Sequence, residues 1–110
     1  MKEFEKEFLF SIDNLIEENL TKPDFQLEDV TIALEISRAK LYRSVLKLTG
    51  SSPAQYIKNT RLIKAMDILK RGVYPTVKET TASVGFRSPE YFTKQFYKEF
   101  NILPSQLIRE

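Results

Sequence analysis

The 110-residue sequence contains no cysteine and no histidine. Those two absences exclude disulfides, Cys/His zinc sites and every nucleophilic centre built on either residue. Any chemistry would fall to Asp, Glu, Lys, Ser or Tyr, and no two of these stand in a persuasive constellation, nor is there a phosphate-binding glycine loop. No enzyme activity, metal or cofactor is therefore expected. Glycine is scarce, at three residues, and low-complexity stretches are lacking, so the composition does not describe a disordered tail. No apolar run approaches the ~20 residues that span a bilayer, and Met1–Phe10 is too charged for a signal peptide. The expectation is a soluble, cytoplasmic protein whose segment makes no membrane contact.

What is present is enough apolar side chain, 42% of residues, for one folded domain or two small ones sharing an element. The net charge of +2 is unevenly laid out. Residues 1–36 hold three basic against ten acidic side chains, 37–72 hold nine against one, and 73–110 hold five against four. A basic middle third beside an acidic first third fits a surface that meets a polyanion, and it equally fits solvated helix faces.

Apolar spacing along the chain is helical throughout, which makes the fold class all-α. Phe8, Ile12, Leu15 and Ile16 predict a helix from Lys2 to about Leu20 with one buried stripe. Its carboxylates, among them Glu3, Glu5, Asp13, Glu17 and Glu18, are expected to be solvated or turned toward a neighbouring domain. Pro23 breaks the pattern, and Gln26–Leu34 forms a short helix with Leu27, Val30 and Leu34 inward. Ser37 then N-caps a helix that carries Leu41, Val45 and Leu48 inward and stops at Gly50. Ser52 and Pro53 open a long helix to about Lys70 whose apolar residues cover more than half of its circumference, as expected of a linker between two packed units.

The last third repeats the helix, tight turn, helix arrangement. Thr76–Val84 forms a short helix, Gly85 takes the left-handed position after it, and Ser88, Pro89 and Glu90 open the next helix. Phe92, Phe96 and Phe100 recur every four residues and face inward, leaving Pro89, Glu90, Thr93, Lys94 and Tyr97 on another face. A connection this short, with glycine at its start, has the shape of a helix-turn-helix, whose second helix can lie in a DNA major groove. The aromatics Tyr91, Phe92, Phe96 and Phe100 read as core rather than as a base-stacking platform.

Two such units resemble the DNA-binding domain of AraC/XylS-type transcription regulators. The resemblance runs from Gln26 to Arg109. It is carried by Ser37-Arg38, Leu41, Thr49-Gly50, Ser52-Pro53, Tyr56-Ile57, Arg61-Leu62, Ala65, Leu69, Gly85-Phe86, Tyr91-Phe92, Phe96, Phe100 and Pro104. It implies about seven helices: an acidic helix over 1–22, a first helix-turn-helix over 23–52, a linker helix over 53–72, and a second helix-turn-helix with a C-terminal helix over 73–110. The sequence departs from the family at Thr31 and Thr81, where alanine is usual, at Thr80, usually aliphatic, and at Asn101, usually glycine. The Thr80-Thr81 pair predicts a softer or differently packed second unit. The stretch Phe8–Leu20 is also similar to the output end of hybrid two-component sensors of Bacteroidetes. That context implies upstream receiver and sensor domains in a longer chain.

The resemblance further implies two reading helices entering successive major grooves of double-stranded DNA, in a regulator of transcription. The family's base-reading positions fall on Ala39, Tyr42 and Arg43 in the first and on Pro89, Glu90, Thr93 and Lys94 in the second. Arg43 suits guanine O6 and N7 and is otherwise a solvated arginine; Glu90 accepts from cytosine N4 or only caps its helix. Helix starts near Ser37, Ser52 and Ser88, helped by Arg38, Lys47 and Arg87, suit phosphate oxygens. Arg61, in the middle of the linker helix, is expected in an ion pair with Glu79 rather than in contact with DNA. The competing function is a helical protein-interaction module that uses the acidic N-terminal face and does not bind DNA.

Overall fold

The computed structural model describes residues 1–108. Arg109 and Glu110, the end of the expected second helix-turn-helix stretch, lie outside the described residues. Among the described residues there are six α-helices, one 3-10 turn and no strand. The helices are α1 (Glu3–Glu18), α2 (Leu27–Leu34), α3 (Arg38–Thr49), α4 (Pro53–Arg71), α5 (Val77–Ser83) and α6 (Pro89–Phe100), and the turn is Pro104–Leu107. The expected final helix is thus the single 3-10 turn.

Local chemistry sets most of the boundaries. The Ser37, Ser52, Thr76 and Ser88 hydroxyls accept from the amides three residues on, at 3.1 to 3.2 Å, each satisfying a donor that the helix itself leaves open. α1 and α2 start differently. The carboxylates of Glu5 and Asp29 accept from the backbone N–H of Lys2 and Gln26, both at 2.9 Å, and also sit at the positive end of the helix dipole. Part of the acidic first third is therefore consumed in opening helices.

The chain divides into two compact units. One comprises Met1–Asn19 and Phe25–Thr60. Its buried apolar side chains are Ile12 and Ile16 of α1, Phe25, Val30 of α2, Leu41 and Val45 of α3, and Ile57 of α4. The Tyr56 hydroxyl donates to Asp13 at 2.7 Å. Burial, then that hydrogen bond and the carboxylate charge, push the phenol pKa up, so it stays a neutral donor.

The turn between α2 and α3 contains a feature that local sequence does not announce. Glu35 has φ +54° and ψ +45°, and the bonds Glu35 N–H to Ile32 O and Ile36 N–H to Thr31 O close a Schellman-type end. A residue with a Cβ pays about 1 kcal/mol for that conformation. Glu35→Gly should therefore raise stability by up to ~1 kcal/mol, part of the gain being offset by the freer unfolded chain. A thermal midpoint that stays level or falls would show that the strain is relieved elsewhere.

The other unit comprises Leu20–Asp24 and the chain from Arg61 onward. Leu62, Ala65 and Leu69 of α4 pack with Val84, Phe86, Phe92 and Phe96. Ring centroids 5.2 Å apart (Phe86–Phe92), 5.6 Å (Phe92–Phe96) and 4.8 Å (Phe96–Phe100) form a tilted aromatic series along α6. Each such pair is worth ~0.5 to 1.5 kcal/mol beyond the area it buries. Gly85 has φ +77°, the left-handed position expected after α5, and Asn101 has φ +57°, a conformation that asparagine tolerates where the family usually has glycine.

Three expectations need correcting. Tyr91 is half exposed, its ring 6.0 Å from that of Phe86 at the margin of the core, because it lies on the flank of α6 opposite Pro89. Arg61, expected in an ion pair with Glu79, instead turns its guanidinium to backbone, donating to the carbonyls of Leu20, Val84 and Lys22. Of the apolar residues expected to cover more than half of the α4 circumference, Ile63 is 60% exposed, so the helix buries less of its circumference than its composition suggests. Thr80 and Thr81 are buried, yet their hydroxyls donate to the carbonyls of Thr76 (3.3 Å) and Val77 (2.8 Å) one turn back. That satisfies both polar groups within their own helix.

Candidate nucleic-acid interface

In the first unit α3 buries Leu41 and Val45 and turns the opposite face outward. Ala39, Tyr42 and Arg43 are all exposed there, at positions i, i+3 and i+4 of one helix face. Leu46 continues the same face at i+7 and is 43% exposed. Lys40 and Lys47 are exposed beside it. Neither Arg43 nor Lys47 is in an ion pair among the described residues. Arg38 is different: its Nη1 meets Glu28 Oε1 at 2.6 Å. Both side chains are largely solvated, and an exposed pair of this kind contributes little to stability, so the guanidinium can exchange Glu28 for another anion at small cost.

The second unit repeats the arrangement on α6. Glu90 and Lys94 are exposed, while Pro89 and Thr93 are half-buried at the edge of the face. Tyr97, 51% exposed, completes the series Glu90, Thr93, Lys94, Tyr97 at i, i+3, i+4 and i+7. The buried Phe92 and Phe96 occupy the inner side in the places that Leu41 and Val45 take on α3. Arg87 is exposed in the turn before α6, and Lys98 follows on the same helix.

Leu46 and Tyr97 hold equivalent places in the two units, Tyr97 on the outward face expected from its spacing, and neither is among the family's base-reading positions. The i+7 spacing was the signal that places them on these faces. An exposed leucine can meet only a thymine methyl, whereas the Tyr97 hydroxyl can also donate to a phosphate oxygen.

The three serine-capped starts at Ser37, Ser52 and Ser88 are not equally open. Ser37 is exposed, whereas Ser52 and Ser88 are half-buried. In each the hydroxyl is occupied by an amide of its own helix, so an arriving phosphate would meet the remaining free N–H groups of the first turn and the dipole. The described residues contain no cluster of Asp and Glu able to hold a metal ion. No helix among them is long and apolar enough to cross a membrane.

Comparison with known proteins bears on this geometry. The family described as a helix-turn-helix domain matches residues 30–110. A histidine kinase of Formosa agariphila is 32% identical over 92 residues, covering 84% of this chain and 7% of the kinase. The HTH-type transcriptional regulator MtrA of Neisseria gonorrhoeae is 31% identical over 99 residues, 88% of this chain and 33% of the regulator. The chain thus spans a third or less of these curated relatives. Among solved structures, the C-terminal domain of the two-component response regulator yesN from Fusobacterium nucleatum superposes with a TM-score of 0.77 at 30% identity, covering 89% of this chain and 94% of that one. The DNA-binding domain of the global transcriptional factor AdpA, solved in complex with a target DNA, gives 0.79 at 26% identity and covers 90% and 86%.

Proposed function

The chain belongs to the AraC/XylS-type family of helix-turn-helix DNA-binding domains, and from that premise we propose that its base-reading side chains are Ala39, Tyr42 and Arg43 on α3 and Pro89, Glu90, Thr93 and Lys94 on α6. Each helix enters its own major groove, the two grooves being successive along the duplex. Ser37, Arg38, Lys47, Ser52, Arg87 and Ser88 hold phosphates and set register. In functional terms residues 1–22 form an acidic helix, 23–52 and 73–110 the two reading units, and 53–72 the linker. This domain regulates transcription in the bacterial cytoplasm and carries no enzyme activity of its own. In the whole protein this domain receives its signal from upstream receiver and sensor domains, a reading supported by the likeness to a histidine kinase and to a response-regulator C-terminal domain.

The observation that carries the reading is the α3 face, where Arg43 and Tyr42 stand exposed, outside any ion pair among the described residues, between Lys40 and Lys47. Selection of bound sequences from a random duplex pool, followed by mobility shift against scrambled DNA, tests it. Neutralising roughly six phosphates gives log affinity against log salt a slope near −5, about a thousandfold loss between 50 and 200 mM salt. Affinity that is indifferent to salt over that range, or a pool that returns no preferred sequence, would favour the protein-interaction module instead.

A further inference from the structure

Arg61 is a charged side chain only 5% exposed. Its Nη1 donates to the carbonyls of Leu20 at 2.6 Å and Val84 at 2.8 Å, and its Nη2 to that of Lys22 at 3.0 Å. Arginine suits this task because its planar fork offers five donors in fixed directions and keeps its charge when buried. The acceptors come from two stretches far apart in sequence. Leu20 and Lys22 belong to the strap that follows α1, and Val84 immediately precedes the left-handed Gly85 in the turn that delivers α6. A Cβ built on Gly85 would overlap the Arg61 guanidinium and the Leu20 carbonyl, so the turn backbone lies directly against the clamp. Phe86, the next residue, is buried, and Ser88 begins α6 two residues later.

We infer that Arg61 is a positioning residue for base reading by α6, holding the Leu20–Lys22 strap and the Val84-Gly85 turn as one body so that Glu90, Lys94 and Tyr97 leave the unit at a fixed angle. The inference rests on the proposal that α6 reads bases. Base edges are read only by groups held within about 0.5 Å of their productive place, whereas phosphate contacts made by mobile lysines tolerate a looser helix. A softened turn therefore costs sequence preference before it costs affinity. Both turns close with the same pair of backbone bonds, at Glu35 and Ile36 and at Gly85 and Phe86, but the carbonyls of Leu20, Lys22 and Val84 that Arg61 holds all belong to the second unit, so the effect should be confined to that unit.

The test compares the full chain with Arg61→Lys, which retains a cation but loses the fork, and with Lys22→Gly, which loosens the strap and leaves Arg61 and the core in place. Bound sequences are selected for each, and the base pairs relaxed by Lys94→Ala and by Arg43→Ala serve as markers of the two units. Arg61→Lys is expected to lose about tenfold of the preference at the Lys94 pairs, with the Arg43 pairs and affinity for scrambled duplex kept within about twofold. Lys22→Gly gives a smaller loss at the same pairs, and it decides the matter alone if Arg61→Lys does not fold. Preference unchanged at the Lys94 pairs, or lost equally at both sets, overturns the positioning role. Should Lys94→Ala itself relax no base pair, the base-reading assignment of α6 falls and takes the inference with it.

Discussion

Gly85→Ala is expected to destabilise the half of the protein that contains α5 and α6 by ~3 kcal/mol or more. Two costs combine. The left-handed backbone at φ +77° strains any residue with a Cβ by roughly 1 kcal/mol. The methyl group would also occupy the space of the Arg61 guanidinium, which cannot move aside without giving up hydrogen bonds to buried carbonyls, and a buried charge stripped of partners costs ~3 to 5 kcal/mol. Gly50 provides the internal comparison: its φ is +76°, but nothing lies within 4 Å of an added Cβ. Gly50→Ala should therefore cost only the strain, about 1 kcal/mol. For a domain of this size ~1 kcal/mol moves the thermal midpoint by roughly 4 to 8 °C, so the two variants are easily told apart. Equal midpoints for Gly50→Ala and Gly85→Ala would mean that the clamp yields to the methyl group.

Arg43→Ala should weaken binding to a selected operator by ~1 to 3 kcal/mol and relax preference at the few base pairs that Arg43 contacts. Lys94→Ala should act at a different set of base pairs and cost less, since an ammonium cannot make the two-pronged contact to guanine that a guanidinium makes. Lys47 lies one turn beyond Arg43 toward the end of α3, and its substitution by alanine should act differently. Operator and scrambled duplex should lose affinity by similar factors, with the salt slope shallower by about one unit, as expected when a single phosphate contact is removed. If Arg43→Ala weakened both duplexes alike, or if Arg43→Ala and Lys94→Ala relaxed the same base pairs, separate reading by the two units would have to be abandoned.

Most helix boundaries were legible in the sequence because the interactions that set them reach only three or four residues. Ser37, Ser52 and Ser88 cap the helices they precede, Gly50 and Gly85 adopt the left-handed ends expected of them, and the spacing of Phe92, Phe96 and Phe100 gives the inner side of α6. The same short range placed Ala39, Tyr42 and Arg43 on one outward face, and one more turn of the same count leads to Leu46 and Tyr97. The helix-turn-helix family was legible too, since it is carried by these local signals in order.

Tertiary structure decided the rest. Glu35 adopts a left-handed conformation although it is neither glycine nor asparagine, because the Schellman bonds and the packing of α2 against α3 fix the turn whatever residue stands there. Tyr91 and Ile63 have apolar bodies at helical positions, and only the packed neighbours determine that the core closes without them. Arg61 is the clearest case. Its sequence surroundings suggest an ion pair with a nearby carboxylate, but its guanidinium donates to carbonyls 41, 39 and 23 residues away. Backbone acceptors carry no residue-type signature, so no pattern of side chains could have announced them. The need for glycine at position 85 is shared between the two levels: local turn geometry calls for it, and a guanidinium brought in from α4 leaves no room for anything larger.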